Sequence, residues 1–499
     1  MDRRGFLVAG SLGSLGWLGG CGGSDGGGPP MMGPANPPAA VGASLPEGAA
    51  LRDLARLANT ATEPGLFEAT LAAAPQRIAL GPGLAPEFWS YNGASPGPLI
   101  EVAEGSRVRI RFDNRLPGQD STIHWHGLAI PAGQDGNPMD PVASGASRTY
   151  EFTIPEGCAG TYWYHPHPHR VTHEQVFRGL AGLLVVRARA DPLSALAERA
   201  LVVTDLGLDA TGAIAANTPM DFLAGREGGH LLVNGAKRPL VAIAPGETQR
   251  WRVLNATNAR YLRLAIPGNP FTLVGTDGGL VERPVAGLAE ILLAPAERVE
   301  LLVTGRADGT VRETLYALAY DRGAAAMTGM MGPGASVPVA LVTLEYREGA
   351  AVPWVAPEHL REIGELGEPV ATQRAVLTRG MGTGMGAMGM GFAINGRSFD
   401  AMRTDFASRA GAVELWEIAN LTAMDHPMHL HGTQFQVVAR ERSGRALPLP
   451  PRAWKDTVNV AAGETVRFKA VQAMPGRRLL HCHILEHEDA GMMATVDVA

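Results

Sequence analysis

Ala412-Val413-Glu414-Leu415-Trp416-Glu417-Ile418 rises out of a turn and runs into Asn420. Two other stretches follow the same plan: Glu104-Gly105-Ser106-Arg107-Val108-Arg109-Ile110 ahead of Asn114, and Pro245-Gly246-Glu247-Thr248-Gln249-Arg250-Trp251-Arg252-Val253 ahead of Asn255. Each is a turn, a strand, and an Asn near the next loop. Three such cycles predict three similar β-sandwich modules in an all-β chain. Neighbouring segments such as Arg107-Val108-Arg109-Ile110-Arg111-Phe112 and Thr149-Tyr150-Glu151-Phe152-Thr153-Ile154 alternate at period 2, as half-buried strands do. Gly 63 and Pro 37 together make about a fifth of the chain, a share suited to many short strands joined by turns. Charged and Pro-containing linkers break the pattern near residues 188–197 and 347–372, which sets the modules at 66–190, 198–347 and 370–499. A length of 499 residues agrees with a count of about three.

Lys+Arg of 43 against Asp+Glu of 49 leaves a net charge of -6 with no basic block, so the charge gives no support to a nucleic-acid partner. Arg3-Arg4 precede an apolar stretch, residues 6–18, of signal-peptide rather than membrane-spanning length, the pattern of a twin-arginine export signal. Leu18-Gly19-Gly20-Cys21 resembles a bacterial lipobox. Residues 1–21 therefore read as a signal, with Cys21 either lipidated or discarded with it. The location expected is periplasmic or in the cell envelope. Residues 22–43 form a Gly/Pro-rich tether, and Leu51, Leu54, Ala55, Leu57 and Ala58 at helical spacing predict one short helix before the first module, completing 22–65.

Of fourteen histidines, eight fall in four H-x-H pairs: His124/His126, His165/His167, His429/His431 and His481/His483. In a strand, residues i and i+2 share a face, so each pair presents two imidazoles side by side. Copper(II) heads the affinity order for such ligands. The fourth pair reads His481-Cys482-His483, and alternation sends Cys482 to the opposite face. One strand then serves two metal sites. His426 stands just before the third pair, and His487 and Met492 follow Cys482 by five and ten positions. Two histidines, a cysteine and a methionine make the ligand set of a blue-copper electron-transfer centre. Only three cysteines are present, so a disulfide framework is not expected, and ligation outweighs a Cys158–Cys482 pair.

His124-Trp125-His126-Gly127, Tyr164-His165-Pro166-His167, His426-Pro427-Met428-His429-Leu430-His431-Gly432 and the run from His481 to Met492 resemble the four copper signatures of multicopper oxidases, complete and in the family's order. The resemblance covers residue 66 onward. Phe392-Ala393-Ile394-Asn395-Gly396-Arg397-Ser398-Phe399-Asp400 and Gly432-Thr433-Gln434-Phe435 are closest in flavour to the bacterial laccase-like copper efflux oxidases. The resemblance implies three cupredoxin-like Greek-key domains, with a copper cluster between the first and third; the middle module carries no pair and reads as a spacer and structural support. It implies a type 2 copper on His124 and His429, one type 3 copper on His126, His165 and His483, and its partner on His167, His431 and His481. With the type 1 site that is four coppers per chain. The activity implied is one-electron oxidation of a small reductant (phenol, aromatic amine, Cu(I), Fe(II) or Mn(II)) coupled to reduction of O2 to water. By match to the efflux oxidases, Asp135 and Glu488 are the candidate proton relays.

Weaker signals remain. Met381, Met385, Met388 and Met390, and Met327, Met330 and Met331, lie in Gly-rich stretches that suit either Cu(I) capture or a plain linker. Asp425 beside His426 could receive a cation or a phenol proton, or cap a turn. His169 and His173 fit no ligand position. The alternative function is copper sequestration without turnover. A third reading, a copper-free structural role in the cell envelope, sits poorly with a complete ligand set. Three domains in one chain need no second copy, so a monomer suffices.

Overall fold

The computed structural model describes residues 44–323, 337–349, 351, 354–380 and 391–499. The expectations for Arg3-Arg4, Cys21, the tether over 22–43 and the methionine segments at 327–331 and 381–390 lie outside these residues.

Strands dominate, arranged in three pairs of sheets. In the first pair one sheet runs Glu87–Tyr91, Leu66–Arg77, Arg107–Asn114, Ser147–Thr153, and the other Gly97–Ala103, Gly182–Arg187, Gly160–His165, His124–His126. The chain crosses between the two sheets several times, as from Glu87–Tyr91 to Gly97–Ala103 and from Ser147–Thr153 to Gly160–His165, the crossing pattern of a Greek key. The middle pair packs a sheet containing Ala197–Leu206, Thr248–Asn255 and Arg298–Thr304 against one containing Leu262–Ala265, Arg312–Leu318 and Val339–Tyr346. The last pair sets Ala371–Gly380, Val413–Asn420, Glu464–Val471 and Phe435–Arg442 against His426–Leu430, Gly476–Cys482 and Met493–Val498. Every pair buries its own apolar core, around Trp125, Trp251 and Trp416 respectively. These cores hold each sandwich together, since a fully buried large apolar side chain contributes roughly 1.5–3 kcal/mol.

The three asparagines that close the sequence repeat do the same job in each sandwich. Asn114 donates through Nδ2 to the carbonyls of Gln119 (2.7 Å) and Val142 (2.8 Å). Asn255 donates to Arg260 (2.8 Å) and Leu293 (2.9 Å), and Asn420 to Met424 (2.8 Å) and Val460 (2.9 Å). Each Oδ1 accepts from the backbone N–H two residues on. A buried amide thereby fixes the loop leaving the strand, and in the last sandwich that loop leads straight to His426.

The helix expected at 51–58 does not form. The segment is extended: Leu51 N–H donates to Leu240 O (2.8 Å), Leu57 N–H to Leu99 O (2.8 Å), and Leu99 N–H to Ala55 O (2.7 Å). Its leucines, three apart, reach three different apolar clusters: Leu51 the middle core, Leu54 the cluster between the first and middle sandwiches, and Leu57 the first core. Backbone groups at the Leu99 and Leu240 strand edges win over local helix propensity because they satisfy the strap's own N–H and C=O groups while its leucines are covered.

Candidate metal centres

Strand pairing brings the histidine pairs together. His124 lies opposite His165 in one sheet, and His429 opposite His481 in another, with Met428 opposite Cys482. All eight paired imidazoles are at most 1% exposed. Their ring nitrogens face one another: His124 Nε2 and His429 Nε2 are 3.4 Å apart, His167 Nε2 and His481 Nε2 3.3 Å, His431 Nε2 and His481 Nε2 3.0 Å, and His126 Nδ1 and His165 Nε2 3.4 Å. Burial first, and neighbouring rings second, hold His126, His165, His167, His429, His431 and His483 well below the ordinary imidazole range, so these rings are neutral.

The outer nitrogens decide which lone pair points inward. Nδ1–H donates to a carbonyl from His124 (Asp135 O, 2.8 Å), His165 (Pro166 O, 2.8 Å), His429 (Asp456 O, 2.8 Å) and His481 (Cys482 O, 3.0 Å). His431 Nδ1–H donates to Asp135 Oδ2 at 3.0 Å. All five therefore turn a bare Nε2 inward. His126 is reversed: its Nε2–H donates to Asp456 Oδ1 (3.0 Å), leaving Nδ1 inward. Neither ring nitrogen of His483 has a hydrogen-bond partner among the described residues. Converging lone pairs in a dry site repel one another unless a cation lies between them, and neutral imidazoles are the donors copper favours. The residues fit that metal.

On the other face of the same strand, Cys482 Sγ lies 3.5 Å from His426 Nδ1 and 3.9 Å from His487 Nδ1, and all three residues are fully buried. Met492 is buried beside them, its N–H donating to His487 O (2.9 Å) and its carbonyl accepting from Cys482 N–H (3.0 Å). Burial pushes the Cys482 thiol well up and the His426 imidazole down to about 3. A thiolate there, flanked by uncharged rings, requires a cation, which again suits copper. Thr422 Oγ1 accepts from His426 Nε2–H (2.8 Å), and Leu223 O accepts from His487 Nε2–H (3.3 Å). Leu223 belongs to the short helix Pro219–Ala224 of the middle sandwich. A spacer role for that sandwich is thus too small: it covers His487.

The structure brings every predicted ligand to one of these two clusters. Asp135 and Glu488 are fully buried at the edge of the imidazole cluster. The Glu488 carboxylate oxygens lie 3.4 Å from His167 Nδ1 and 3.2 Å from His481 Nδ1. His169 stands apart beside Phe399, and His173 donates through Nδ1 to Asp489 (2.6 Å); neither joins a cluster. Cys158 and Cys482 are both free. Asp425 is 6% exposed and accepts from Tyr320 O–H (2.6 Å), Asn459 Nδ2 (3.0 Å) and Ala462 N–H (3.0 Å), which makes it a loop anchor rather than a cation receptor. Sequence reasoning missed Asp456, Thr457 and Glu486. Asp456 touches the imidazole cluster, and Glu486 accepts from Arg226 N–H (3.1 Å) and Asn258 Nδ2 (2.8 Å), tying the segment after Pro219–Ala224 over His487. The only signal for Asp456 and Glu486 was an acid inside an otherwise apolar or histidine-rich stretch, and Thr457 gave none.

The chain is similar to known proteins over most of its length. Three multicopper oxidase family profiles match residues 74–191, 206–330 and 371–499. A multicopper oxidase of Staphylococcus haemolyticus is 30% identical over 424 residues, 82% of this chain and 83% of its own length. A laccase of Bacillus subtilis is 28% identical over 484 residues, 82% of this chain and 90% of its own. The solved multicopper oxidase from Campylobacter jejuni, a metallo-oxidase, superposes with a TM-score of 0.84 at 40% identity, covering 91% of this chain and 96% of that one. Eight inward-facing imidazoles, a cysteine on the reverse of the strand that carries two of them, and three profile matches in order agree: the chain belongs to the multicopper oxidase family, as an all-β oxidoreductase of three cupredoxin-like domains.

Proposed function

We propose that this chain oxidises small one-electron donors at the Cys482 site and reduces O2 to water at the imidazole cluster. Bound copper would supply the electron transfer at both places: a type 1 ion on His426, Cys482, His487 and Met492, a type 2 ion on His124 and His429, and a type 3 pair on His126, His165 and His483 and on His167, His431 and His481. The observation that carries the reading is the His481-Cys482-His483 tripeptide, whose backbone joins a thiol site on one face to the imidazole cluster on the other. Storage has no use for such a bridge.

Each residue has a task in this scheme. Asp135 orients His431 and Arg478 lies 3.5 Å from its carboxylate. Glu488, within reach of His167 and His481, can hold or pass protons at the cluster's edge. Leu223 and Thr422 engage the outer nitrogens of His487 and His426, so a bulky phenol approaching His487 meets the Pro219–Ala224 segment before the ring. That supports small donors, Cu(I) and Fe(II) among them, over large aromatics, in line with the similar metallo-oxidase of Campylobacter jejuni. Export by the Arg3-Arg4 signal, a lipid anchor at Cys21 and a monomeric state complete the proposal.

Copper-loaded protein should bind four coppers per chain, show an intense blue thiolate band lost in Cys482→Ser, and take up O2 with Cu(I). A colourless, copper-replete chain, or a blue one without O2 uptake, would instead favour sequestration.

A further inference from the structure

Beyond the ligands, one buried cation ties all three sandwiches to the imidazole cluster. Arg298, on the middle strand Arg298–Thr304, is fully buried, and each of its five side-chain N–H groups has an acceptor. Nε donates to Thr161 O of the first sandwich (2.9 Å). Nη1 donates to Ala296 O (3.1 Å) and Nη2 to Asp277 O (3.0 Å) within the middle one. The two remaining donors grip the Asp456 carboxylate of the last sandwich side by side, Nη1 to Oδ1 (2.8 Å) and Nη2 to Oδ2 (2.6 Å). Asp456 then spends its other capacity on the cluster: Oδ1 accepts from His126 Nε2–H (3.0 Å) and from Thr457 O–H (2.9 Å), and its carbonyl accepts from His429 Nδ1–H (2.8 Å).

A carboxylate held in this way can only accept. It therefore keeps the proton of His126 on Nε2 and leaves Nδ1 turned to the cluster, the reverse of the rings anchored through Nδ1. Without its cation, Asp456 would be an uncompensated buried charge, free to turn away from His126. The fork shape matters as well as the charge, since only a planar guanidinium meets both carboxylate oxygens while donating backward to three carbonyls.

We propose that Arg298 is a positioning residue of the middle sandwich that, through Asp456, sets the ring orientation of His126 and the seat of His429 in the imidazole cluster. The inference rests on the copper-cluster reading above. Arg252 supplies a control: it is equally buried and its Nη1 donates to the Thr161 hydroxyl (2.8 Å) across the same sandwich interface, but its partners are Glu198 and Glu300, not Asp456.

The test compares full-length wild type, Arg298→Lys, Arg298→Met and Arg252→Met after loading with copper salts, by copper per chain, the blue thiolate band and the electron paramagnetic resonance of the type 2 ion. Loss of an outer partner typically lowers metal affinity about 10- to 100-fold. The expected result is an intact blue band in every variant, with cluster copper weakened by about tenfold or more and an altered type 2 signal in both Arg298 variants only. If Arg298→Met does not fold, Arg298→Lys with Asp456→Asn gives the same reading. Full cluster loading with an unchanged type 2 signal in the Arg298 variants overturns the proposal. Equal loss in Arg252→Met overturns it too, by assigning the effect to sandwich docking. A wild-type chain that binds no copper beyond the blue site overturns the cluster reading itself, and so separates that failure from this one.

Discussion

Gly127 directly follows His126, and its φ of +92° is one that side chains rarely adopt. A Cβ there would stand 2.2 Å from Asp456 Oδ2 and 2.8 Å from Arg298 Nη2. Gly127→Ala should therefore push the carboxylate off His126: copper per chain falls at the cluster while the blue band survives, and thermal melting drops. Asn420 makes a second residue-scale case. Asn420→Ala strips two buried carbonyls and one N–H of their partners, at a cost of roughly 1–3 kcal/mol per orphaned group before relaxation. Because the same loop seats Thr422 against His426, the blue band should shift or weaken as well, whereas Asn255→Ala, in the middle repeat, should cost stability with the band unchanged. Calorimetry with absorption spectroscopy separates the two. The twelve residues of the proposed ligand set could be named from the sequence because H-x-H spacing and strand alternation are local rules. Asp456 and Arg298 could not, because their meaning depends on residues 330 and 158 positions away.

Pro219–Ala224 is a six-residue helix, too short to be stable alone, and it survives through a capping box in which Thr218 and Asp221 satisfy each other's backbone N–H groups. Thr218→Ala should cost about 1 kcal/mol of local stability. The rate with a bulky phenol should then rise relative to the rate with Cu(I), since the helix loosens over His487 without any ligand being touched; equal ratios in wild type and variant would refute the covering role. Strands, unlike this cap, were readable from period-2 alternation and turn residues. The segment at 51–58 shows where periodicity fails: leucines three apart fit one helix face, yet they serve three separate cores along an extended strap. A pattern in one segment cannot reveal that its partners are strand edges elsewhere.

Across the whole molecule, the sandwiches are joined by charge as well as by apolar contact. Glu198, at the start of the middle sandwich, bonds Arg187 of the first (2.7 and 2.9 Å) and Arg252 of its own (2.7 Å). Burial opposes ionisation, but the two guanidinium groups outweigh it and pull the carboxyl down to about 2. A carboxyl depressed on folding stabilises the native state above its unfolded value near 4.5, and that contribution fades as pH falls toward 2. Glu198→Gln should thus lose ~2 kcal/mol at neutral pH, with the gap to wild type closing in acid; denaturant titration at several pH values checks it. Three repeats and their order were plain in the sequence, whereas the cross-links between them depend on side chains that meet only once the sandwiches have docked.

The strap has a further consequence, one of timing. Residues 47–57 come off the ribosome long before Leu99 and Leu240, the partners that hold them. Until each partner has emerged, the stretch of strap it holds has no strand edge to pair with. The strap is therefore secured from its far end inward, residues 55–57 by Leu99 first and residue 51 by Leu240 only once the middle sandwich has begun to form.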